Sequence, residues 1–588
     1  MRSSPPPATR QPELGLALSG GGFRAAFFHL GVLACLAETG LLRQVEVIST
    51  VSGGSIIGAL YYLHVKDLLE NVDEDSVDDS HYVEIVARIE KDFFAGVARH
   101  VRARAYANLA KNVKMARANY SRSDRMGELY DETFYRLAWE HPSHGAAQSR
   151  DGKLIEMREL LVAPHGRGEG FKPLEENERR ETPVPILLLN ATSLNTGHSW
   201  RFEAVGMGED PRSSDAWAQI DKNMRLRTAR YDEIARHQAD FHLGIAVAAS
   251  ACVPALFQPL AVSGLFKVAD GSTADVRVQL VDGGVHDNQG VCGLIDTNCK
   301  RMIVSDASGQ MLDDEDPSTH IPAVGGRSQS VQGDRVREEE MIGVWKTPPV
   351  AVMHLRKGLP ARVFSPLGEA GAPLEPPVDL GTIGYGVDAR VKDGLARVRT
   401  DLDSFTEVEA WSLARYGYVM ASAEVAGVAG IQELTRDDPL SNAWFFAADP
   451  RLAERMATPT ATYLKHLEVA KSRFFKLFWL DRAALAGAVV VALALLALVG
   501  WGIYAARGAF AHEIPVWVAI AAAAGGVALA ALYMTRARVR AVRALADVVF
   551  TAVFPVLLAP VLFVVSWIML LLNPLFLRAG RLERAVGP

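Results

Sequence analysis

Short apolar runs and glycine- or serine-rich turns alternate over the first 55 residues. Leu14–Leu18 is an apolar run, and Val45–Ile48 is a second run rich in β-branched residues. From Phe23 onward, apolar residues recur at spacings of three and four, the period of an amphipathic helix. Gly40 is typical of a helix end. The pattern predicts a strand-helix-strand unit with two parallel strands.

Two loops follow these strands at the same edge of the predicted sheet. Gly20, Gly21 and Gly22 follow the first strand, and Ser52 follows the second within Thr50-Val51-Ser52-Gly53-Gly54. We expect the loops to be neighbours, because consecutive parallel strands end side by side. Free backbone N–H groups at a helix N-terminus favour negative charge and can stabilise the oxyanion of an acyl transfer. A serine on a tight strand-to-helix turn stands exposed above the sheet.

Each loop also has a simpler interpretation. Gly20-x-Gly22-x-x-Ala25 fits the dinucleotide fingerprint, but that motif needs an acidic residue at the end of the second strand. Glu46 lies inside this strand, and a serine turn occupies its end. No Gly-Lys-Ser/Thr follows the glycines, which disfavours a phosphate-binding P-loop. Ser52 on its own would also fit a helix N-cap.

A carboxylate further along the chain favours an enzyme. The strand-like run Val276–Val281 ends in Asp282-Gly283-Gly284, which places Asp282 where it can meet a serine from a neighbouring strand. The triple glycine with Arg24, the serine turn and Asp-Gly-Gly together resemble the patatin-like phospholipases over roughly residues 14–310. Asn190-Ala191-Thr192 and the stretch from Ala249 to Phe257 agree with this resemblance.

The resemblance implies a patatin-like α/β fold, with a three-layer parallel-sheet core and helical insertions. It also implies a serine lipid acyl hydrolase that forms an acyl-enzyme and needs no metal or cofactor. In such an enzyme Ser52 attacks the ester carbonyl and Asp282 acts as its base. The oxyanion hole would consist of Gly20, Gly21 and Gly22, with Arg24 steadying them.

Departures from the family pattern leave alternatives open. Thr50 stands where G-x-S-x-G begins with glycine, and Ala25 where a glycine often follows the basic residue. A catalytically silent scaffold with the same fold is therefore an alternative. Asp306 and Asp270 also follow strand-like runs, but neither precedes two glycines.

A Ser-His-Asp triad of the α/β-hydrolase type is the second alternative. It requires a histidine that bridges the serine and the acid, and His286, His320 and His354 are the candidates. In that fold the oxyanion loop lies well before the serine turn, whereas here the triple glycine opens the helix that leads into the serine strand. This order favours the dyad.

Composition narrows the class of protein further. The chain has 588 residues, enough for several domains, and its net charge of −6 does not indicate nucleic-acid binding. The four cysteines lack metal-ligand spacing, which indicates reduced structural thiols. Residues 1–13 are rich in serine and proline without an apolar signal core, and we expect a disordered leader there. Residues 14–460 are predicted to form the hydrolase domain.

The pattern changes after residue 460. Basic and aromatic residues alternate over 461–482, as in an amphipathic helix at a membrane surface. Ala483–Ala506 and Ile514–Met534 contain no charged residue, and each is long enough to cross a hydrocarbon core of about 30 Å. Residues 483–588 are therefore predicted to form a transmembrane region. Val548–Leu577 is also uncharged, but its prolines predict a broken hairpin or re-entrant segment.

Positive charge predicts the orientation. The basic stretch before Ala483 and the arginines at 536, 538, 540 and 543 flank the first two spans, and such flanks stay in the cytoplasm. We therefore expect an inner or cytoplasmic membrane protein with its catalytic domain and Pro588 on the cytoplasmic side. Its partners would be membrane lipids and the bilayer, without nucleic acid. The sequence specifies no oligomeric state.

Overall fold

A computed structural model describes residues 10–587 except for 116–119, 148, 169, 210–223, 255, 268–274, 310, 312, 346–348, 360–362, 369–370, 372–373, 376–383, 473–475, 489 and 491–553. The chain divides into two compact units. The first contains Met1–Arg102, Arg122–Arg473 and Gly580–Pro588, and the second contains Ala103–Ser121 and Phe474–Ala579.

The first unit is built on one mixed sheet. Its strands, in the part of the chain that the structure describes, are β1 (Leu14–Leu18), β2 (Val47–Val51), β3 (Ile186–Ser193), β4 (Ser199–Glu203), β5 (Gly206–Glu209), β6 (Ala229–Arg230), β7 (Leu260–Lys267), β8 (Asp275–Asp282), β9 (Arg301–Asp306) and β10 (Val350–His354). Their order is β10-β9-β1-β2-β3-β4-β5-β6, and β8 pairs with both β3 and β7.

The sheet is only partly the parallel sheet that the sequence predicts. Strands β10, β9, β1, β2 and β3 run parallel, whereas β4 to β8 join through antiparallel pairs. The antiparallel part was missed because short turns, rather than helices, connect β3 to β4 and β4 to β5, and such turns join only antiparallel neighbours.

The described helices are α1 (Gly22–Glu38), α2 (Gly53–Asn71), α3 (Asp79–Val97), α4 (Val101–Tyr106), α5 (Leu109–Lys114), α6 (Arg122–Tyr130), α7 (Arg136–Glu140), α8 (Pro173–Glu176), α9 (Arg236–Ala239), α10 (Leu243–Ser250), α11 (Val291–Asp296), α12 (Ile321–Trp345), α13 (Ala389–Ala396), α14 (Glu407–Gly427), α15 (Phe445–Ala448), α16 (Pro450–Ala457), α17 (Ala461–Ala470), α18 (Lys476–Leu480), α19 (Phe554–Ala579) and α20 (Leu582–Val586).

Helices cover both faces of the parallel strands. Val291 of α11 and Val344 of α12 belong to the apolar cluster that includes Ala17 of β1, while α2 packs on the other face, where its Gly58 approaches Thr50. Helix α1 lies at the centre of the unit, and every residue from Phe23 to Glu38 is buried. A helix that is buried on all sides needs apolar neighbours on all sides, and α14 supplies one of them.

Two polar segments of the chain are helical. The stretch from Asp79 to Lys114 is divided into α3, α4 and α5, because His100 adopts a φ of 58° and Asn108 caps a new helix. The polar residues from Ile321 onward form α12.

The C-terminal region is described only in part. The predicted span Ala483–Ala506 lies outside the described residues after residue 490, and Ile514–Met534 lies entirely outside them. The predicted break in Val548–Leu577 is wrong for the described part, since α19 is one continuous helix with Pro560 and Pro574 inside it. Each proline removes one backbone donor, but neither ends the helix.

Among the described residues, one stretch, Leu562–Ala579, is long and apolar enough to cross a membrane.

The chain returns to the first unit after α19. Arg451 Nη1 donates a hydrogen bond to the Gly587 carbonyl at 2.7 Å, and Arg455 Nε donates one to the Val586 carbonyl at 2.9 Å. The Leu582 N–H donates to the Glu407 carboxylate at 2.9 Å. Leu582, Ala585 and Val586 are buried. Residues 580–587, which we call the C-terminal tail, are therefore an integral part of the first unit.

Candidate active site

Ser52 occupies the tight turn between β2 and α2. Its φ and ψ are 50° and −112°, a conformation that costs a residue with a side chain on the order of 1–3 kcal/mol and persists only when its surroundings enforce it. The Ser52 N–H donates a hydrogen bond to Ser250 Oγ at 2.9 Å. Strain of this kind is typical of a nucleophile that is held out on a strand-to-helix turn.

A network of hydroxyl groups lies beneath this turn. Thr50 Oγ1 donates to the Leu188 carbonyl at 3.0 Å and lies 2.9 Å from Ser55 Oγ. Ser55 Oγ in turn lies 2.8 Å from Ser250 Oγ. Gly58 leaves room for the threonine, since a Cβ atom there would lie 2.7 Å from Thr50 Cγ2. The departure from the family's glycine is therefore accommodated by hydrogen bonds and by a glycine on α2.

Asp282 ends β8 and is buried, with 6% of its surface exposed. Its N–H donates to the Cys252 carbonyl at 2.9 Å, and its carbonyl accepts a hydrogen bond from Thr192 Oγ1 at 2.9 Å. In the side chain, Oδ1 accepts the Gly284 N–H at 2.7 Å. Oδ2 has no hydrogen-bond partner among the described residues.

Electrostatics couple Asp282 to Ser52. Burial raises the pKa of Asp282 to about 6, and hydrogen bonding from the Gly284 N–H and the Ser52 hydroxyl partly opposes this rise. The hydroxyl is thus close enough to affect the carboxyl group, although it makes no well-directed hydrogen bond to Oδ2. Loose geometry of this kind is common in catalytic pairs without a substrate.

The triple glycine lies against the Ser52 turn. A Cβ atom on Gly53 would overlap the Gly22 carbonyl oxygen, and a Cβ atom on Gly20 would lie 3.4 Å from Ser52 Cβ. The structure therefore brings together the two loops that the sequence places at one edge of the sheet.

The three glycine amides differ in their partners. The Gly20 N–H donates to the Asn288 carbonyl at 2.9 Å, so it is not free to bind a ligand. Gly21 and Gly22 begin α1, where amides have no partner within the helix, and no described residue accepts a hydrogen bond from them. Two of the three predicted donors are thus open.

Arg24 braces the glycine loop from behind. It is buried, and its Nη1 donates to the Ala396 and Val398 carbonyls at 3.2 and 3.0 Å. Nη2 donates to the Ala307 carbonyl at 2.9 Å. These bonds tie the first turn of α1 to two other loops.

Two residues of β3 hold the ends of its neighbouring strands. Asn190 Nδ2 donates to the Thr50 carbonyl and to Ser49 Oγ, both at 3.0 Å, and Thr192 holds the Asp282 carbonyl. The Asn-Ala-Thr motif therefore positions Ser52 and Asp282 together.

The acids and histidines that the sequence offered as alternatives make other contacts. Asp306 accepts the Ser308 N–H at 2.9 Å and faces His354 at 3.7 Å. His286 lies beside Asp287 and Arg201. No described histidine forms a hydrogen bond with Ser52 or Asp282. Asp270 lies outside the described residues.

One cluster has the composition of a metal site. Asp287, Cys292 and Glu340 each place a ligand atom within 4.8 Å of the others. The Asp287 carboxylate, however, already accepts the N–H groups of Gln289, Gly290 and Cys292, and burial raises the pKa of the Cys292 thiol. Because metals bind thiolates rather than thiols, the cluster is better explained as the cap of α11.

Ser250, Ser55 and Asn288 were not identified as site residues from the sequence. Ser250 belongs to a stretch that matches the family, but 198 positions separate it from Ser52. Asn288 follows the Asp-Gly-Gly motif, and its Oδ1 would overlap a Cβ atom on either Gly20 or Gly284. No spacing rule links these residues to the serine.

A strained serine, a buried carboxylate and open amides at a helix start are the parts that a serine-type ester hydrolase requires. Residues 16–291 match the family model of the patatin-like phospholipases. This part of the chain belongs to that family, whose members are lipid acyl hydrolases. The resemblance found in the sequence is thereby confirmed.

Solved structures similar to the chain include two structures of one human phospholipase A2 and one protein from Legionella pneumophila. Human GIVD cytosolic phospholipase A2 is 13% identical, covers 72% of this chain and 60% of its own, and has a TM-score of 0.36. Its complex with methyl gamma-linolenyl fluorophosphonate and terbium chloride is 13% identical, covers 72% and 59%, and scores 0.34. VipD from Legionella pneumophila is 13% identical, covers 98% and 93%, and scores 0.23.

The chain thus spans about 60% of the length of the human enzyme. A search of curated proteins finds no match.

Proposed function

We propose that the chain is a membrane-anchored serine lipid acyl hydrolase with a patatin-like three-layer core, in which Ser52 and Asp282 form the catalytic dyad. The observation that carries the proposal is the convergence of a strained serine, a buried carboxylate with an unpartnered oxygen, and two open amides. A silent scaffold would have no need to maintain the strain at Ser52.

The geometry supports a two-step reaction. Asp282 Oδ2 accepts the proton of the Ser52 hydroxyl while Oγ attacks the ester carbonyl, and the Gly21 and Gly22 amides stabilise the oxyanion. Asp282 then returns the proton to the leaving alkoxide, which leaves an acyl-enzyme. Water, deprotonated by Asp282, releases the fatty acid. A pKa of about 6 keeps this base ionised and still basic near neutral pH. Arg24 and Gly20 act through the position of the loop.

Membrane anchoring is the second part of the proposal. It is supported by the uncharged runs of the C-terminal region and by exposed apolar side chains of α19, such as Trp567 and Leu571. The substrates would then be phospholipids or lysophospholipids of the same membrane. The basic flanks of the apolar runs favour a cytoplasmic catalytic domain.

Labelling with a fluorophosphonate probe tests the catalytic part, because only an activated serine reacts. We expect the chain to label at Ser52, and both Ser52→Ala and Asp282→Asn to abolish labelling and esterase activity. The double variant should be scarcely worse than either single one, since the two residues act as a unit. Ser318→Ala and Asp316→Asn, at exposed positions, are the matched controls.

Two results would support the alternatives instead. A folded chain that does not label would indicate a silent scaffold. Full activity in Asp282→Asn together with a loss in His320→Ala or His354→Ala would indicate a triad.

A further inference from the structure

A basic segment separates α3 from the start of α6. Between Asp92 and Asp124 the chain has no acidic residue, and it carries seven basic ones, Arg99, Arg102, Arg104, Lys111, Lys114, Arg117 and Arg122. One of these, Arg102, is paired with Asp401 and Asp403. The middle of this segment, Ala103–Ser121, forms one compact unit with Phe474–Ala579. Residues that interrupt the hydrolase fold therefore pack with the apolar C-terminal region.

Helix α5 gives this segment an exposed apolar edge. Leu109 and Val113 are 48% and 57% exposed, and a separation of four residues places them on the same side of the helix. Lys114 Nζ lies 3.9 Å from the ring centre of Tyr120. Lysines beside such an edge can bury their apolar stems while their amines reach polar surroundings.

The neighbour of α5 in this unit is an apolar helix. Helix α5 packs against α19, which contains the stretch able to cross a membrane. Val564, Ile568 and Leu571 of α19 are exposed, and an apolar surface of this kind needs a covering in water. An exposed apolar pair, a basic segment and an apolar helix thus occur in a single unit.

We propose that α5 forms a second membrane contact, which binds the anionic surface of the bilayer through Lys111 and Lys114 and inserts its Leu109–Val113 edge at the interface. The proposal rests on the proposed membrane anchoring. Anionic lipids complement a helix that carries two lysines and no acidic residue, and amphipathic basic helices bind at this depth. The exposed apolar pair disfavours nucleic acid, to which cations alone would suffice.

An environment-sensitive dye at an introduced cysteine, Ala110→Cys, tests this proposal in the full chain. The protein is reconstituted in phosphatidylcholine vesicles that contain increasing amounts of phosphatidylglycerol, and the wild-type chain gives the background from native cysteines. We expect the emission to shift to the blue as the anionic lipid increases, and salt to reverse the shift because it screens the charges. Lys111→Gln with Lys114→Gln should reduce the shift, whereas Lys91→Gln with Lys153→Gln, at exposed positions, should not.

Two outcomes would overturn the proposal. Emission typical of water at every lipid composition would show that α5 does not contact the membrane. An equal shift in pure phosphatidylcholine, insensitive to salt and to the lysine substitutions, would show apolar insertion without recognition of anionic lipid.

Vesicle flotation and fluorophosphonate labelling are measured on the same samples. A protein that fails to float refutes the anchoring, and one that floats without labelling refutes only the hydrolase. A dye response that appears only after an acidic protein is added would assign the segment to a protein partner, and would also overturn the proposal.

Discussion

Ser250 has no chemical role in the proposed reaction, yet its hydroxyl holds the turn on which the reaction depends. It accepts the Ser52 N–H at 2.9 Å and belongs to the network of Ser55 and Thr50. Ser250→Ala would leave a buried N–H without its partner, which costs about 1–3 kcal/mol, and would let the strained turn relax. Misplacement of a reacting atom can cost about 10²-fold in rate.

We therefore expect Ser250→Ala to lower kcat by about ten- to a hundredfold, with little change in KM. Steady-state kinetics on a soluble ester measure both constants. Ser193→Ala, which removes another buried hydroxyl, is the control and should leave kcat unchanged. An equal loss in both variants would mean that the effect is one of general stability.

The pKa of Asp282 predicts a pH dependence. Because the base must be ionised, kcat/KM should rise with pH and reach half its plateau at about 6, the pKa that burial produces. The effect of pH on stability has the opposite sign. Burial raises the pKa of this carboxyl group above its ordinary 3.8. The group therefore contributes to the free energy of unfolding below pH 3.8, and this contribution is lost as the pH rises through about 6.

Measurement of kcat/KM against pH, with an ester that does not ionise, checks the predicted rise in activity. His320→Ala should leave its midpoint in place. A midpoint that vanishes when His286 or His354 is replaced would contradict the assignment to Asp282.

The open amide of Gly21 predicts a specific loss. Gly21 has a φ of 139°, and a Cβ atom there would lie 2.9 Å from the Ala307 carbonyl oxygen. Gly21→Val should therefore displace the donor, and loss of one oxyanion donor lowers the rate by about 10²–10³-fold. Turnover is compared with vesicle flotation, which should not change. Normal turnover would mean that the triple glycine is only a packing turn.

Much of the candidate site could be predicted at the scale of single residues. Ser52, Asp282 and the glycines lie in short motifs whose residue types carry the chemistry. Ser250 could not be found in this way, because its role depends on a hydrogen bond across 198 positions. The Gly20 amide was predicted to be an oxyanion donor, but it is bonded to the Asn288 carbonyl. This hydrogen bond is likewise a tertiary contact that the sequence does not reveal.

At the scale of elements, the contact between α1 and α14 depends on glycines. A Cβ atom on Gly31 would overlap the Ala414 carbonyl oxygen, and one on Gly417 would overlap the Phe28 carbonyl oxygen. The two helix backbones therefore approach each other more closely than side chains would permit.

This contact predicts that substitution by alanine has opposite effects on stability at two glycines of α14. Gly417→Ala should destabilise the protein by about 1–3 kcal/mol or more, because overpacking displaces backbone. Gly427→Ala meets no atom within 4 Å, and should be neutral or stabilise the helix by about 0.5–1 kcal/mol. Chemical denaturation of the two variants measures the difference. Equal stabilities would show that α1 and α14 can separate without cost.

The sequence predicts elements best where apolar periodicity is strong. The runs at β1 and β2 and the period of α1 are examples. Periodicity does not reveal α12, because its residues are largely exposed and it has no apolar stripe. It fails also for the antiparallel strands, since pairing partners are chosen by tertiary contacts.

At the scale of the whole molecule, the C-terminal tail limits the topologies open to the proposed membrane anchor. Residues 580–587 pack within the first unit, so in a membrane-anchored protein the tail and the rest of that unit would share one side of the membrane. The number of crossings between them would then be even. With α19 as one crossing, residues 483–553 would contribute an odd number, and one of the two preceding apolar runs would not cross.

A cysteine introduced at Gly587 tests this topology in intact cells. We expect no labelling by an impermeant thiol reagent unless the membrane is opened, in agreement with the cytoplasmic side expected from the positive charges. Arg451→Ala with Arg455→Ala should release the tail and increase its labelling in opened membranes. Labelling in intact cells would place the tail outside and contradict the cytoplasmic orientation.

The docked tail also has a consequence for how the protein is made. A ribosome synthesises residues 580–587 only after the whole apolar region, yet Leu582, Ala585 and Val586 are buried in the unit that was synthesised first. The first unit can therefore make its last contacts only after the apolar region has been synthesised. If that region inserts into a membrane as proposed, insertion precedes the final closure of the fold, and a chain stalled before α19 would lack these contacts.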